Sequence, residues 1–132
     1  MTTSETLGVR LGIVAANENG RVIVWDDGAV GLLGYHREQS LGRDVEFIIP
    51  EEYRAQHHAG FKLAMAGGER SADAAPFHLP VVRADQTIAV FAVRFIFLDD
   101  PKGRPAGAMI VFERASEAVE PFTPVSPAES AG

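Results

Sequence analysis

Apolar residues recur at two different spacings along this chain, and each change of spacing marks an element. Gly12-Ile13-Val14-Ala15-Ala16-Asn17 and Arg21-Val22-Ile23-Val24-Trp25 are short, largely apolar runs rich in β-branched residues. Glu18-Asn19-Gly20 separates them, and Asn-Gly between two such runs predicts an antiparallel hairpin. Asp26 and Asp27 then offer N-caps for a short helix carrying Val30, Leu32 and Leu33, which stops at Gly34. Residues 36–49 read as short helical turns broken at Gly42. Pro50 opens a longer helix, because a missing N–H costs nothing at the first turn, and Glu51 and Glu52 suit the positive end of the helix dipole. That helix ends near Gly67-Gly68.

Three strand-like runs follow, at residues 76–83, 87–98 and 105–113, linked by Ala84-Asp85-Gln86 and by Asp99-Asp100-Pro101-Lys102-Gly103. In the second run Ile88, Val90 and Ala92 alternate with Phe91, Val93 and Phe95, which predicts one packed face and one partly apolar outer face. Phe97 extends the first of these rows, and Ile96 and Leu98 the other. Residues 1–11 carry no pattern and read as a flexible lead, and residues 117–132, with Pro121, Pro124 and Pro127 among Ser and Ala, read as a disordered tail. The domain therefore spans 12–116. Two strands, small helices, a long helix and a three-stranded meander predict an α+β fold: a five-stranded antiparallel sheet with helices packed on one face.

Charge and composition narrow the function. A chain of 132 residues is long enough for one domain with a hydrophobic core. Its net charge of −6 argues against a phosphate-backbone partner, since such binding rests on Lys and Arg. The chain shows neither a membrane-spanning apolar run nor a signal-peptide pattern, so a cytoplasmic location is expected. The absence of cysteine removes thiolate chemistry, disulfides and cysteine-based zinc sites.

The candidate chemistry lies on the long helix. At about 100° of rotation per residue, Tyr53, His57, Gly60, Phe61 and Ala64 share one stripe, with Met65 on its flank. His57 is therefore expected to look inward and His58 to turn toward Lys62 and Glu51 on the hydrated side. Neighbouring histidines diverge too far to chelate one ion together. The helix lacks the His pair with intervening Glu of a metalloprotease, and the chain lacks Gly-x-Ser-x-Gly, so no enzyme is expected.

The stretches NENGRVIVWDDGAVGLLGYHREQSLGRDVEFIIPEEYR and VVRADQTIAVFAVRFIFLDDPKGRPAGAMIVF carry a specific order of motifs: the Asn-Gly hairpin, Trp25, Leu33-Gly34-Tyr35, Leu41-Gly42, Ile49-Pro50 and a terminal meander with Gly107 in its last strand. In these the chain resembles a PAS domain over residues 12–114. The resemblance implies a sensory or interaction module with a ligand cavity between helices and sheet. Two departures stand out. The family commonly has Asp-Gly where Asp85 is followed here by Gln86, so a looser turn is expected. The family usually also continues through a helical linker into an output domain, whereas Glu113-Arg114-Ala115-Ser116 leads here into the Pro-rich tail, which implies signalling to a partner in trans.

Tyr53-Arg54-Ala55-Gln56-His57 is similar to the segment that supplies the proximal histidine in haem-binding PAS oxygen sensors. The similarity implies haem b with His57 on the iron and Tyr53, Phe61, Met65, Phe77 and Leu79 around it. PAS domains without haem show a similar Arg54, His57, Gly60 pattern, so a hydrogen-bonded core histidine is the competing reading. The positions at which oxygen sensors place a distal Arg or Met fall at Phe77 and Ala75, both apolar, which favours carbon monoxide or nitric oxide as the gas. His78 alternates to the opposite face from Phe77, Leu79 and Val81. Photoactive flavin and coumaroyl chemistry both need a cysteine, whereas a non-covalent flavin remains open. A cofactor-free interaction module is the alternative, a homodimer formed through the outer face of the sheet.

Overall fold

The computed structural model describes residues 11–67 and 77–114. Strand β1, Leu11–Asn17, and strand β2, Val22–Trp25, form the expected hairpin. Its turn is held by Asn17, whose Oδ1 accepts the backbone N–H of Asn19 at 2.9 Å and of Arg21 at 3.1 Å, and by Gly20 at φ +79°. Helix α1, Asp27–Leu33, follows, then helix α2, Arg37–Ser40, a 3-10 helix over Val45–Ile48, and the long helix α3, Glu51–Met65. Strands β3, Phe77–Val82, β4, Ile88–Asp99, and β5, Pro105–Arg114, complete one antiparallel sheet in the order β2-β1-β5-β4-β3. The sequence signals placed all of these strands within two residues of their ends. Leu11 already belongs to β1; the rest of the lead and the tail lie outside the described residues.

Of the two candidate caps, Asp26 is the one used. Its Oδ1 accepts the N–H of Ala29 at 2.8 Å and that of Ile13 at 2.9 Å, so one carboxylate both caps α1 and ties it to β1. The helix then lies so close to the strand that a Cβ at Gly28 would land on the carbonyl oxygen of Leu11. Gly34, at φ +88°, closes the helix by donating to Val30 at 2.9 Å.

The inner face of the sheet carries Val14, Phe91, Val93, Ile110 and Phe112, and α1 covers it with Ala29, Leu32 and Leu33. Trp25 is 1 % exposed; its indole N–H donates to the Tyr35 carbonyl at 3.1 Å, and its ring stacks on Phe47 at 5.7 Å. Tyr35 meets the same Phe47 edge-on at 4.9 Å. These three rings seal the end of the core next to the 3-10 helix, so Trp25 and Tyr35 serve as packing residues.

The turn between β3 and β4 corrects an expectation. It is closed, not loose: Arg83 donates to Thr87 at 2.8 Å and Gln86 to Arg83 at 2.8 Å. Gln86 itself takes the left-handed conformation, φ +69°, that ordinarily favours Gly. The turn stays closed because Asp85 Oδ1 accepts both the backbone N–H of Thr87, at 3.0 Å, and its hydroxyl, at 2.5 Å. Those two bonds, the hydroxyl's first, hold the Asp85 carboxyl below the usual carboxylate range.

Helix α3 contacts the 3-10 helix and β5. Ala64 is its buried residue; Tyr53, His57, Phe61 and Met65 are half-buried, and Gly60, expected on the inward stripe, is exposed. None of its side chains joins the main core cluster. Among the described residues no helix is long and apolar enough to cross a membrane.

Candidate functional site

Two groups of polar side chains meet at the 3-10 helix. The first is built on Glu46. Asp44 caps this helix by accepting the N–H of Glu46 at 3.0 Å, which fixes the backbone from which the Glu46 side chain reaches α3. There Glu46 Oε2 lies 3.2 Å from Nδ1 of His57 and 3.6 Å from Nδ1 of His58. Arg54 ties the first turns of α3 back to the same region by donating from Nε to the carbonyl of Ile49 at 2.8 Å.

The two histidines differ in exposure as their stripes require: the side chain of His57 is 26 % exposed and that of His58 63 %. His58, however, does not turn only toward Lys62 and Glu51, for its Nδ1 approaches the same Glu46 oxygen. A carboxylate placed over the boundary between two stripes can be reached from both. The His57 ring lies nearly parallel to Phe61, 15° between planes, at a centroid distance of 6.1 Å. A Cβ built at Gly20 would lie 3.8 Å from the Phe61 ring, which places that ring against the β1–β2 hairpin.

The remaining candidates around His57 are less closely assembled. Tyr53 and Met65 are half-buried on α3, and Leu79 is half-buried against the core. Phe77 opens β3 opposite Val93, and His78 sits opposite Ala92. Ala75 lies outside the described residues. Among the described residues no group of three or more His, Cys, Asp or Glu side chains is placed to hold a bare metal ion.

The second group lines an open cleft of about 850 Å³ beside Tyr35. Arg21, Arg43 and Arg54 contribute guanidinium groups, with Gln39 and Gln86 among the other polar walls. Backbone pairing brings these distant arginines together. Val22 donates to Arg43 at 2.8 Å, Gly42 to Val22 at 2.9 Å and Val45 to Gly20 at 2.9 Å, so residues 42–45 cover the free edge of β2. Arg43 lies over the Phe47 ring, 3.9 Å from its centroid. The Tyr35 hydroxyl donates to Val82 at 3.1 Å, and burial raises its phenol above the ordinary value of 10.0 against the pull of Arg43.

Neither Glu46 nor the arginine cleft stood out in the sequence. Glu46 is 11 residues from His57 and belongs to a different element. The three arginines are scattered through an acidic chain, and only the pairing of residues 42–45 with β2 collects them.

A five-stranded antiparallel sheet covered on one face by small helices, with a polar opening beside the longest of them, makes an α+β module. The chain belongs to the PAS fold family, whose model matches residues 8–120. It is 28 % identical over 75 residues to the oxygen sensor protein DosP of Escherichia coli, a match that covers 57 % of this chain and 9 % of that protein. It thus spans about a tenth of the length of the curated relatives it matches. The crystal structure of a PAS domain from a Colwellia psychrerythraea protein superposes with a TM-score of 0.64 at 20 % identity, covering 79 % of this chain and 84 % of that one. The dark structure of the blue-light photoreceptor Aureochrome1 LOV does so at 0.62 and 22 % identity, covering 80 % and 76 %. Sensory signalling is the general role of such domains.

Proposed function

We propose that the chain is a gas-sensing PAS module that holds haem b through His57 and signals to a partner protein in trans. The geometry of His57 carries this reading. Its Nδ1 faces the Glu46 carboxylate, an acceptor that favours the proton on Nδ1 and leaves Nε2 as the nitrogen free to ligate iron. The ring is half-buried beside Phe61, and no side chain of α3 belongs to the main core cluster. The resemblance to haem-binding PAS oxygen sensors and the similarity to a protein named as an oxygen sensor support the same reading.

Residues of this chain would hold the group as follows. His57 would ligate the iron, Glu46 would orient it, and Tyr53, Phe61, Met65 and Leu79 would supply neighbouring side chains, with Phe77 at the start of β3. Bound haem supplies an iron that takes up a diatomic gas. Because Glu46 sits on the 3-10 helix, any displacement of His57 also loads that helix and the edge segment paired with β2.

Reconstitution of the haem-free protein with hemin tests this. Wild type is expected to develop a Soret band, His57→Ala to lose it or bind far more weakly, and His58→Ala to keep a nearly unchanged spectrum. No Soret band in wild type, or equal loss in both variants, would sink the reading.

A second reading, a cofactor-free dimerisation module, is favoured by the outer face of the sheet. Ile96, Met109, Ala15 and Val24 lie opposite one another across β4, β5, β1 and β2, and Ile96 and Val24 are 44 % and 42 % exposed. Ile96→Glu is expected to give a folded monomer where wild type sediments as a dimer, since a charge is tolerated in water but not in a dry interface. A wild type that remains monomeric at high concentration removes this reading.

A further inference from the structure

We propose that the cleft beside Tyr35 is a binding site for a small oxyanion ligand, a carboxylate or a phosphate ester, gripped by the guanidinium groups of Arg21, Arg43 and Arg54. The site is separate from the role assigned to His57 and stands without it.

The case rests on which charges in the cleft are already engaged. Three arginines and two acids line it, in a chain whose net charge is −6. Both acids are turned to other partners: Asp44 Oδ1 takes the N–H of Glu46 at 3.0 Å, and Glu46 Oε2 faces His57 at 3.2 Å and His58 at 3.6 Å. Neither acid forms an ion pair with a cleft arginine. On the arginine side, the bond from Nε of Arg54 to Ile49 uses one of its five donors. Arg43 is steadied by its position over Phe47, a contact made through the guanidinium that does not use its edge donors.

A planar guanidinium edge matches a carboxylate or phosphate in a two-bond fork, and several such edges around one opening select an anion over a neutral ligand. Tyr35 stands among these groups: its phenol, raised chiefly by burial, also feels the charges of Arg43, Asp85 and Arg54. Gln39 and Gln86 add neutral polar side chains at the wall. A volume of about 850 Å³ suits a metabolite-sized molecule.

Calorimetric titration of the haem-free full chain with inorganic phosphate, glycerol phosphate and succinate tests the proposal. Saturable binding of at least one of them is expected, weakened about tenfold or more in Arg21→Gln/Arg43→Gln. Preference for the phosphates or for succinate then tells which oxyanion the cleft takes. Lys62→Gln, a change on α3 away from the cleft, should leave binding intact. If the double variant fails to fold, Arg43→Lys serves, since it keeps the charge but loses the fork, and it should also weaken binding. The proposal is overturned if no probe binds below about 10 mM, or if the folded arginine variants bind as wild type does. Because the titration uses haem-free protein, its outcome is independent of any spectrum with haem.

Discussion

Replacing Asp26 by Ala removes a carboxylate that serves two elements at once, which makes its cost calculable from the structure. The loss of the cap on Ala29, a bond of 2.8 Å, costs about 1 kcal/mol, the usual value for an N-cap Asp. The second bond, 2.9 Å from Ile13 N–H, lies between β1 and α1, where water reaches poorly, and an N–H left unpaired there costs about 1–2 kcal/mol more. The sum is about 2–3 kcal/mol. Asp26→Asn keeps an oxygen acceptor and loses only the charge at the helix N-terminus, an effect of about 0.3–1 kcal/mol. Asp27 is the control, because its carboxylate pairs with Arg37 at 2.6 Å while remaining almost fully exposed. Equilibrium urea unfolding followed by the fluorescence of Trp25, the single tryptophan, reads all three variants. The expected order of loss is Asp26→Ala well above Asp26→Asn, with Asp27→Ala near wild type. Equal losses at positions 26 and 27, or an Asp26→Ala loss under about 0.5 kcal/mol, would refute the double role.

Two further outcomes follow from the same structure. Gly28→Ala should cost more than about 3 kcal/mol or prevent folding, because its Cβ meets the backbone of Leu11, whereas Gly60→Ala, which meets nothing within 4 Å on an exposed helix, should stabilise by up to about 1 kcal/mol; thermal unfolding of the pair checks both. Burial raises the Tyr35 phenol above 10.0, so between 10.0 and its raised value the folded chain holds more protons than the unfolded one, and stability from this group falls as pH rises through that window. Urea midpoints at alkaline pH should therefore fall more steeply in wild type than in Tyr35→Phe, and parallel profiles would contradict the assignment.

Elements written in local signals were legible. Asn19-Gly20 announces the hairpin, Asp26 the cap of α1, and the alternation from Ile88 to Leu98 the two faces of β4, because each depends on residues adjacent in sequence. Gln86 misled for a physical reason: a positive φ is ordinarily left to Gly, and here the bonds from Thr87 to Asp85 keep the turn closed around a residue with a side chain. The stripe on α3 was right about which histidine is the more buried. It failed at Gly60, because a helical wheel assumes a neighbour along the whole inward face, and nothing packs within 4 Å of a Cβ at that position even though Ala64, one turn later on the same stripe, is buried.

The candidate site was less legible because its defining contacts join separate elements. A helical wheel assigns His57 and His58 to different environments, yet both face one Glu46 oxygen, since a side chain arriving from outside the helix can straddle two stripes. The arginines obey the same rule. Arg43 reaches Arg21 only because residues 42–45 pair with the edge of β2, and Arg54 joins them only because α3 begins beside that segment. Glu46 stands between the two groups: it lines the cleft and its Oε2 meets the histidines. A ligand in the cleft and a ligand on His57 would therefore act on one carboxylate, and any coupling between them would have to be reciprocal in free energy. If both proposals hold, the short 3-10 helix that carries Glu46 is the element on which the two ligands would act, a placement visible only once the chain is folded.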